Sequence, residues 1–213
     1  MPLVLGFDEA GRGALLGPLV VAGAVLPEEA LPALARLGVR ESKAVARAQR
    51  ARLLRRLWAW GVRGGVVVLP AQALDRGNLT QLELAAALAL IRRFRPQRVL
   101  GDPPVPPRAI PRFRRALALA AGLAEDRVLL FPKADAQEPL VAAASLLAKV
   151  VRDGYVGVLR RAYGDFGWGY PGERKAQEFL VRYVREHGEL PPICRRRWRS
   201  VPRVLGAKLQ EMA

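Results

Sequence analysis

Acidic side chains are scarce in this chain, so the positions of four of them carry information. The 213 residues include 19 Asp and Glu against 35 Lys and Arg. Asp8 and Glu9 come at the end of a short apolar run, and Asp102 and Asp135 each follow another such run. Carboxylates at the ends of neighbouring strands converge, and they repel one another unless something positive lies between them. That positive group is either Arg or Lys, or a divalent ion that accepts oxygen ligands, such as Mg²⁺ or Mn²⁺.

Asp8 and Glu9 pose a geometric problem, because adjacent strand residues point to opposite faces. They share one site only if the strand deforms, which Gly11 and Gly13 permit. Otherwise Glu9 contributes through its backbone or binds at a different angle. Any single acid at a strand end is also explained as a cap or turn residue. The prediction of a metal site therefore depends on the set of four acids.

A glycine-rich segment, residues 11–18, follows the first pair of acids. Such a turn presents backbone N–H groups to a phosphate or a hydroxyl. It lacks the Gly-Lys-Ser/Thr of a nucleotide-binding P-loop, and a tight turn without function explains it equally well.

A second candidate group lies on a long helix of small apolar residues. Ser145, Lys149 and Arg152 are spaced four and three residues apart, which places them on one polar stripe of an otherwise buried helix. The stripe faces a functional site or pairs with acids. The alternative is a purely structural salt bridge between helices, with Asp153 as a further partner.

Composition excludes several classes of protein. One cysteine, Cys194, excludes an internal disulfide framework and a Cys-based zinc site, and the single histidine, His187, argues against His-ligated metals and a Ser-His-Asp triad. No apolar run is long enough to span a membrane, and the N-terminus lacks the basic region of a signal peptide. The net charge of +16 favours nucleic acid over an anionic membrane as partner. We therefore expect a cytoplasmic protein.

The elements that position these groups alternate along the chain. Apolar runs predict strands, and amphipathic or long apolar segments predict helices. The predicted strands cover residues 3–7, 19–26, 64–69, 99–101 and 128–131. The predicted helices cover residues 47–60, 78–93, 112–123, 139 to about 152 or beyond, and 173–186, with an irregular basic tail at 193–203. This order predicts an α/β fold with a mixed sheet flanked by helices.

These pieces, in this order, resemble bacterial ribonuclease HII. The similar blocks span nearly the whole chain. They are Gly6-Phe7-Asp8-Glu9-Ala10-Gly11-Arg12-Gly13 with Gly17-Pro18, Glu41-Ser42-Lys43, Asp75 with Asn78-Leu79, Gly101-Asp102, Lys133-Ala134-Asp135, residues 142–153, Gly169-Tyr170-Pro171, and Ile193-Cys194-Arg195 with Trp198.

The resemblance implies a fold and an activity. The fold is ribonuclease H-like, with a catalytic domain at 1–165 and a C-terminal helical segment and basic tail, 166–213, packed on it. The activity is hydrolysis of RNA paired with DNA, and cleavage 5′ of ribonucleotides embedded in duplex DNA. Two divalent ions, Mn²⁺ or Mg²⁺, are expected to drive the hydrolysis and to leave 5′-phosphate and 3′-hydroxyl ends.

The resemblance also assigns roles to individual residues. Asp8, Glu9, Asp102 and Asp135 become the catalytic, metal-binding acids. The remaining candidates become substrate contacts. Gly11, Arg12 and Gly13 meet the ribonucleotide 2′-OH, Tyr170 packs on the neighbouring sugar, Lys43 and Lys149 bind phosphates, and Ser42 and Ser145 are further substrate contacts.

Departures from the family pattern concern the surroundings of the acids and the tail. The related ribonuclease HIII usually has Glu as its fourth acid and an additional N-terminal domain, so Asp135 indicates type HII. Pro103 and Ala134 stand where Gly is usual. Gly172, Lys175, Cys194 and Trp198 also differ from the usual residues, which affects tail contacts and substrate preference more than the chemistry.

Two other functions compete with this prediction. A non-catalytic basic binding module explains the charge but not the four acids. Another ribonuclease H-like nuclease, such as a junction resolvase, shares the metal chemistry but cuts a different substrate. The basic run Arg195-Arg196-Arg197 with Trp198 either contacts duplex DNA, or is a solvated tail with Trp198 packed on the core. Residues 205–213 contain no motif for a clamp protein, and a monomer is expected.

Overall fold

The computed structural model describes residues 1–37 and 45–210. Two predicted substrate contacts, Ser42 and Lys43, lie outside the described residues, as does Glu41.

Five strands form one mixed sheet. They are β1 (Leu3–Ala10), β2 (Leu19–Pro27), β3 (Arg63–Leu69), β4 (Arg98–Gly101) and β5 (Val128–Leu130). Their order in the sheet is β3-β2-β1-β4-β5. Strand β1 pairs antiparallel with β2 and parallel with β4, and β4 pairs parallel with β5. The predicted mixed sheet is thereby confirmed.

Helices make up much of the rest of the described chain. They are α1 (Leu31–Arg36), α2 (Arg47–Trp60), α3 (Ala71–Arg76), α4 (Leu79–Phe94), α5 (Ile110–Ala121), α6 (Ala134–Gln137), α7 (Pro139–Tyr163), α8 (Arg174–His187) and α9 (Ser200–Gln210), with short 3-10 turns at Glu28–Ala30, Pro107–Ala109 and Glu125–Arg127. Helix α7 continues beyond residue 152, where its predicted end was left open, and ends at Tyr163. The prediction of an irregular tail at 193–203 was wrong from Ser200 onward, because Val201 and Val204 lie three residues apart and bury one face of α9.

The chain divides into two compact units. The first, which we call the sheet unit, comprises Met1–Ala10, Val20–Val67 and Leu79–Val150. The second, which we call the C-terminal unit, comprises Gly11–Leu19, Val68–Asn78 and the residues from Val151 onward. The domain boundary at residue 165 stays a prediction.

The sheet unit buries apolar side chains on both faces of the sheet, as strand alternation requires. Val4 packs with Leu140 of α7, whereas its neighbour Leu5 packs with Leu90 of α4 and Leu117 of α5. Residues of even number in β1 thus face α7, and this is the face that carries Asp8.

The C-terminal unit has an aromatic core of its own. Phe166 and Phe179 lie with ring centroids 5.4 Å apart, and Val156 of α7 and Leu15 join the same buried cluster.

Within the described part of the chain, every helix is too short or too polar to cross a membrane.

Gly6 lets the start of α7 approach β1 closely. A Cβ added at Gly6 would lie 2.7 Å from the carbonyl carbon of Leu140 and 2.8 Å from the backbone nitrogen of Val141. Both neighbours are backbone atoms, which cannot move aside as the end of a flexible side chain can. Any side chain at this position would therefore push α7 away from the strand that carries Asp8.

We expect Gly6→Ala to lower the free energy of unfolding by about 1–3 kcal/mol, because the added methyl group overpacks the contact. Gly154→Ala on α7 is the matched control, since a Cβ there meets nothing within 4 Å. That control should gain about 0.5–1 kcal/mol through helix propensity. Urea unfolding measures both. Equal stability of the two variants would contradict the close approach.

Candidate active site

Strand β1 carries Asp8 and Glu9 without deforming. Its ladder to β2 stays in register through both acids, with Asp8 opposite Ala22 and Glu9 opposite Val21. In such a regular strand, neighbouring side chains alternate between faces. The backbone N–H of Glu9 donates a hydrogen bond to the Asp8 carboxylate. Of the predicted alternatives, the structure thus favours a backbone contribution from Glu9 over a deformed strand.

Helix α7 connects a cation to Asp8 through a hydroxyl group. Ser145 is 1% exposed and its side chain hydrogen-bonds to Asp8. The ammonium group of Lys149 donates to Ser145 Oγ at 2.8 Å. Because the serine hydroxyl has one proton, it donates that proton to the carboxylate while it accepts from the lysine. Two members of the predicted polar stripe therefore serve Asp8.

Asp102 and Asp135 follow strands β4 and β5, as predicted. Asp102 comes directly after Gly101, the last residue of β4, and is partly buried. Asp135 lies in the first turn of α6 and is 7% exposed. The turn into α6 needs a left-handed residue, and Lys133 takes this role with φ 59°. Ala134 therefore starts the helix with no need for the freedom of the glycine that is usual there.

The electrostatics of Asp8 show that three of the acids are neighbours. The pKa of Asp8 is raised from 3.8 to about 6, and burial is the largest cause. The charges of Asp135 and Asp102 also contribute to the rise, and the hydrogen bonds from Ser145 and from the Glu9 backbone act against it. An anion at Asp8 is thus unfavourable, because it is buried and lies near two like charges.

The donor set of this group suits a hard divalent cation, since it consists of carboxylate oxygens. Oδ1 of Asp135 is buried and accepts no hydrogen bond within the described chain, although the residue has other interactions. Among the described residues, no three His, Cys, Asp or Glu side chains already stand in a metal-ligating arrangement. The chemistry and charge of the acids fit a cation, and their side chains must draw closer to bind one together.

The C-terminal unit contains the glycine-rich segment, residues 11–18, which we call the glycine loop. Gly11 has φ 89°, and a Cβ there would collide with the guanidinium of Arg152. Arg152 is 2% exposed and donates to the carbonyl oxygens of Pro18 at 3.3 Å and Trp168 at 3.0 Å. Its guanidinium also lies 4.9 Å from the centroid of the Tyr170 ring. The third member of the polar stripe therefore holds the glycine loop and Tyr170.

Sequence reasoning missed the role of Arg195. This side chain has no exposed surface, and its guanidinium donates to the carbonyl oxygens of Gly17 and Arg12, both at 3.0 Å. The pKa of Arg195 is lowered to about 9, mainly by burial and in part by the nearby charge of Arg152. The only signal was the Ile193-Cys194-Arg195 block, which sequence alone could not separate from the exposed arginines that follow it.

The two alternatives for the basic run are settled residue by residue. Arg195 is buried, whereas Arg196 and Arg197 are exposed. Trp198 packs against the buried cluster of the C-terminal unit, with its ring centroid 5.1 Å from the Arg195 guanidinium carbon. Packing on the core is thus confirmed for Trp198, and only part of the run remains available to a partner.

The predicted residues fall into two groups. The sheet unit brings together Asp8, the backbone of Glu9, Asp102, Asp135, Ser145 and Lys149. The C-terminal unit holds Gly11, Arg12, Gly13 and Tyr170.

Known proteins resemble this chain along nearly its whole length. The profile of a family described as Ribonuclease HII matches residues 5–201. Ribonuclease HII of Thermofilum pendens is 40% identical over 96% of this chain and 100% of its own length. The crystal structure of ribonuclease H2 from Pyrococcus horikoshii matches with a TM-score of 0.84 at 33% identity, over 96% of this chain and 98% of that one.

A further solved structure, the complex of PCNA and RNase HII from Archaeoglobus fulgidus, matches with a TM-score of 0.82 at 33% identity, over 92% of this chain and 95% of that one. The predicted ribonuclease H-like fold is confirmed by these matches. All three organisms are archaeal, so the bacterial part of the predicted resemblance is not confirmed.

Asp8→Asn should make the metal-free protein more stable at high pH. The raised pKa means that the folded state binds the Asp8 proton more tightly than the unfolded chain does, so wild-type stability falls as pH rises from about 4 through 6. Asparagine does not ionise, so the stability of the variant does not fall in this way as pH rises. We expect it to be about 2–3 kcal/mol more stable than wild type at pH 8, with most of the gain absent at pH 4.

Urea unfolding in EDTA at the two pH values measures this difference. The exposed Asp126 is the matched control, and Asp126→Asn should change stability little at either pH. A gain for Asp8→Asn that is the same at pH 4 and pH 8 would contradict the electrostatic explanation.

Proposed function

Because the chain belongs to the ribonuclease HII family, whose members cleave the RNA of RNA–DNA hybrids, we propose that it also cuts duplex DNA on the 5′ side of single embedded ribonucleotides. The products are a 3′-hydroxyl and a 5′-phosphate end. The observation that supports this proposal is the buried carboxylate of Asp8, which is repelled by the like charges of Asp102 and Asp135. Such a group of acids calls for a bound cation.

We propose that Asp8, Asp102 and Asp135 hold two divalent ions, Mn²⁺ or Mg²⁺, through their carboxylates, and that Glu9, whose backbone N–H binds Asp8, contributes to the same site at a different angle. Bound ions of this kind supply an activated water and neutralise the charge that develops on the leaving oxygen. The chain's own contribution is to keep Asp8 ionised and fixed. The hydroxyl of Ser145 and the backbone of Glu9 donate to it, and Lys149 orients that hydroxyl.

Substrate recognition is proposed to involve both groups of residues. Gly11, Arg12 and Gly13 contact the 2′-OH, which is the local chemical difference between ribose and deoxyribose. Tyr170 packs on the neighbouring sugar, supported by Arg152. Lys149 is in contact with Ser145 and is partly buried, so its proposed phosphate contact adds to a role beside Asp8.

The net charge of +16 supports binding to the duplex backbone, and this binding should weaken as salt rises. We propose that the enzyme acts as a cytoplasmic monomer. The solved complex of a relative with PCNA makes that clamp a candidate partner here as well.

A labelled duplex with one ribonucleotide tests the activity. In Mn²⁺ or Mg²⁺ we expect one cut on the 5′ side of the ribonucleotide, and none in EDTA. Asp8→Asn should reduce the rate about 10²–10³-fold or more, because the chemistry loses a charged ligand. The control Asp126→Asn should cut at the wild-type rate. Sequencing gels resolve the position and the chemistry of the ends.

Other results would contradict the proposal or favour a competing function. Cutting in EDTA, or equal cutting of the all-deoxy duplex, would refute metal-dependent hydrolysis directed by the ribonucleotide. Preferential cutting of a four-way junction would indicate a resolvase. Binding without cleavage by the wild-type protein in either metal would indicate a basic binding module.

Metal binding is testable without any cleavage. A divalent ion that binds only the folded protein at 100 times its dissociation constant stabilises that protein by about 2.7 kcal/mol. We expect Mn²⁺ to raise the unfolding temperature of the wild-type protein and of Asp126→Asn, and to raise that of Asp135→Asn far less. Differential scanning fluorimetry at pH 8 measures the shifts. Equal shifts for all three proteins would argue against a site at Asp135.

A further inference from the structure

One buried side chain of the C-terminal unit binds much of the glycine loop. The guanidinium of Arg195 donates to the carbonyl oxygens of Arg12 and Gly17, both at 3.0 Å. Its backbone N–H donates to the carbonyl oxygen of Leu15 at 2.9 Å. Three carbonyl groups of an eight-residue loop therefore bind to a single residue that has no exposed surface.

The direction of the Arg12 carbonyl fixes the direction of an amide. Arg12 and Gly13 share a trans peptide unit, since the described chain contains no cis peptide. In a trans peptide, the C=O of one residue and the N–H of the next point in opposite directions. The Arg12 carbonyl points to the buried guanidinium, so the Gly13 N–H points away from it. Gly13 is exposed, and a Cβ added there would meet nothing within 4 Å.

The segment that carries Arg195 is itself anchored within the C-terminal unit. The carboxylate of Asp75, in α3, accepts the backbone N–H groups of Arg196 at 3.0 Å and Arg197 at 3.1 Å. Before Arg195, Cys194 forms a β-bridge with Leu16. The guanidinium is therefore held from both sides. A side chain so enclosed cannot reach a duplex phosphate, and its effect on a substrate must pass through the loop.

We propose that Arg195 is a positioning residue for ribose recognition, which holds the Arg12–Gly13 peptide so that the Gly13 N–H faces the 2′-hydroxyl of the ribonucleotide. This rests on the proposed function, in which the glycine loop meets that hydroxyl. The planar guanidinium of Arg195 donates to two carbonyl oxygens from two different nitrogens in fixed directions, whereas a lysine has one compact, rotatable ammonium group. Arg195→Lys thus keeps the charge and loosens the loop.

The test compares the binding of two duplexes that differ in one hydroxyl group. One contains a single ribonucleotide and the other is all DNA. Binding is measured by fluorescence anisotropy in EDTA, with Asp8→Asn as the parent so that nothing is cut. We expect Arg195→Lys to weaken binding of the ribonucleotide duplex about tenfold, the effect of one lost hydrogen bond, and to change binding of the all-DNA duplex less than about twofold. A merely structural defect would weaken both equally.

Arg196→Lys is the matched control for charge and position. Arg196 is exposed and follows Arg195 directly. Asp75 binds its backbone, and its guanidinium contacts the carbonyl oxygen of Leu190 at 3.2 Å and the carboxylate of Glu189 at 4.0 Å. We expect this variant to change the affinity for the two duplexes by the same factor, since an exposed arginine outside the glycine loop meets a duplex at its phosphates.

A pair of variants at Gly13 tests the same donor while the Arg195 side chain is kept. Gly13→Pro removes the N–H, whereas Gly13→Ala retains it in open space. We expect the proline variant to bind the ribonucleotide duplex about tenfold more weakly than the alanine variant, and the all-DNA duplex equally. This comparison remains decisive if Arg195→Lys does not fold.

The outcomes separate this proposal from the one on which it rests. If the parent does not prefer the ribonucleotide duplex, ribose recognition fails and the role of Arg195 fails with it. If the parent has that preference and Arg195→Lys keeps it, only the positioning role is overturned. Equal binding of the ribonucleotide duplex by the two Gly13 variants overturns the positioning role as well.

Discussion

The sheet unit is organised around one unfavourable charge, the buried carboxylate of Asp8. Burial and the charges of Asp102 and Asp135 all raise its pKa. The packing that creates this situation begins with Gly6, where the start of α7 comes against β1 with no room for a side chain. The same approach brings Ser145 to the carboxylate. The close contact of strand and helix therefore both buries the anion and provides the donor that keeps it ionised.

The C-terminal unit differs from the sheet unit in that its buried charged groups are cations. Arg152 and Arg195 lie beneath the glycine loop and bind its carbonyl oxygens. Both guanidinium groups also lie near aromatic rings, at 4.9 Å from Tyr170 and 5.1 Å from Trp198. Buried cations of this kind need several partial charges in place of one counter-ion. The carbonyl oxygens of the glycine loop supply these partial negative charges. The same hydrogen bonds fix the orientation of the peptide groups that carry the carbonyls.

Sequence patterns predicted the sheet and most helices, because long periodic segments report their burial directly. They placed Asp102 and Asp135 after β4 and β5 for the same reason. They could not place α3 and α6, which have only six and four residues and so carry little periodicity. They also could not distinguish Arg195 from Arg196, because burial of one arginine in a run depends on contacts with residues more than a hundred positions away in the chain.

The indirect link between Lys149 and Asp8 has a physical consequence for metal binding. An arginine paired directly with Asp8 would occupy both carboxylate oxygens and would lower the pKa strongly, but it would also compete with any cation for those oxygens. In this chain the ammonium of Lys149 donates to Ser145 Oγ, and the Ser145 hydroxyl donates to the Asp8 carboxylate. The serine side chain therefore separates the positive charge of Lys149 from Asp8. Asp8 keeps lone pairs for a ligand, and it remains a stronger base than a directly paired aspartate would be.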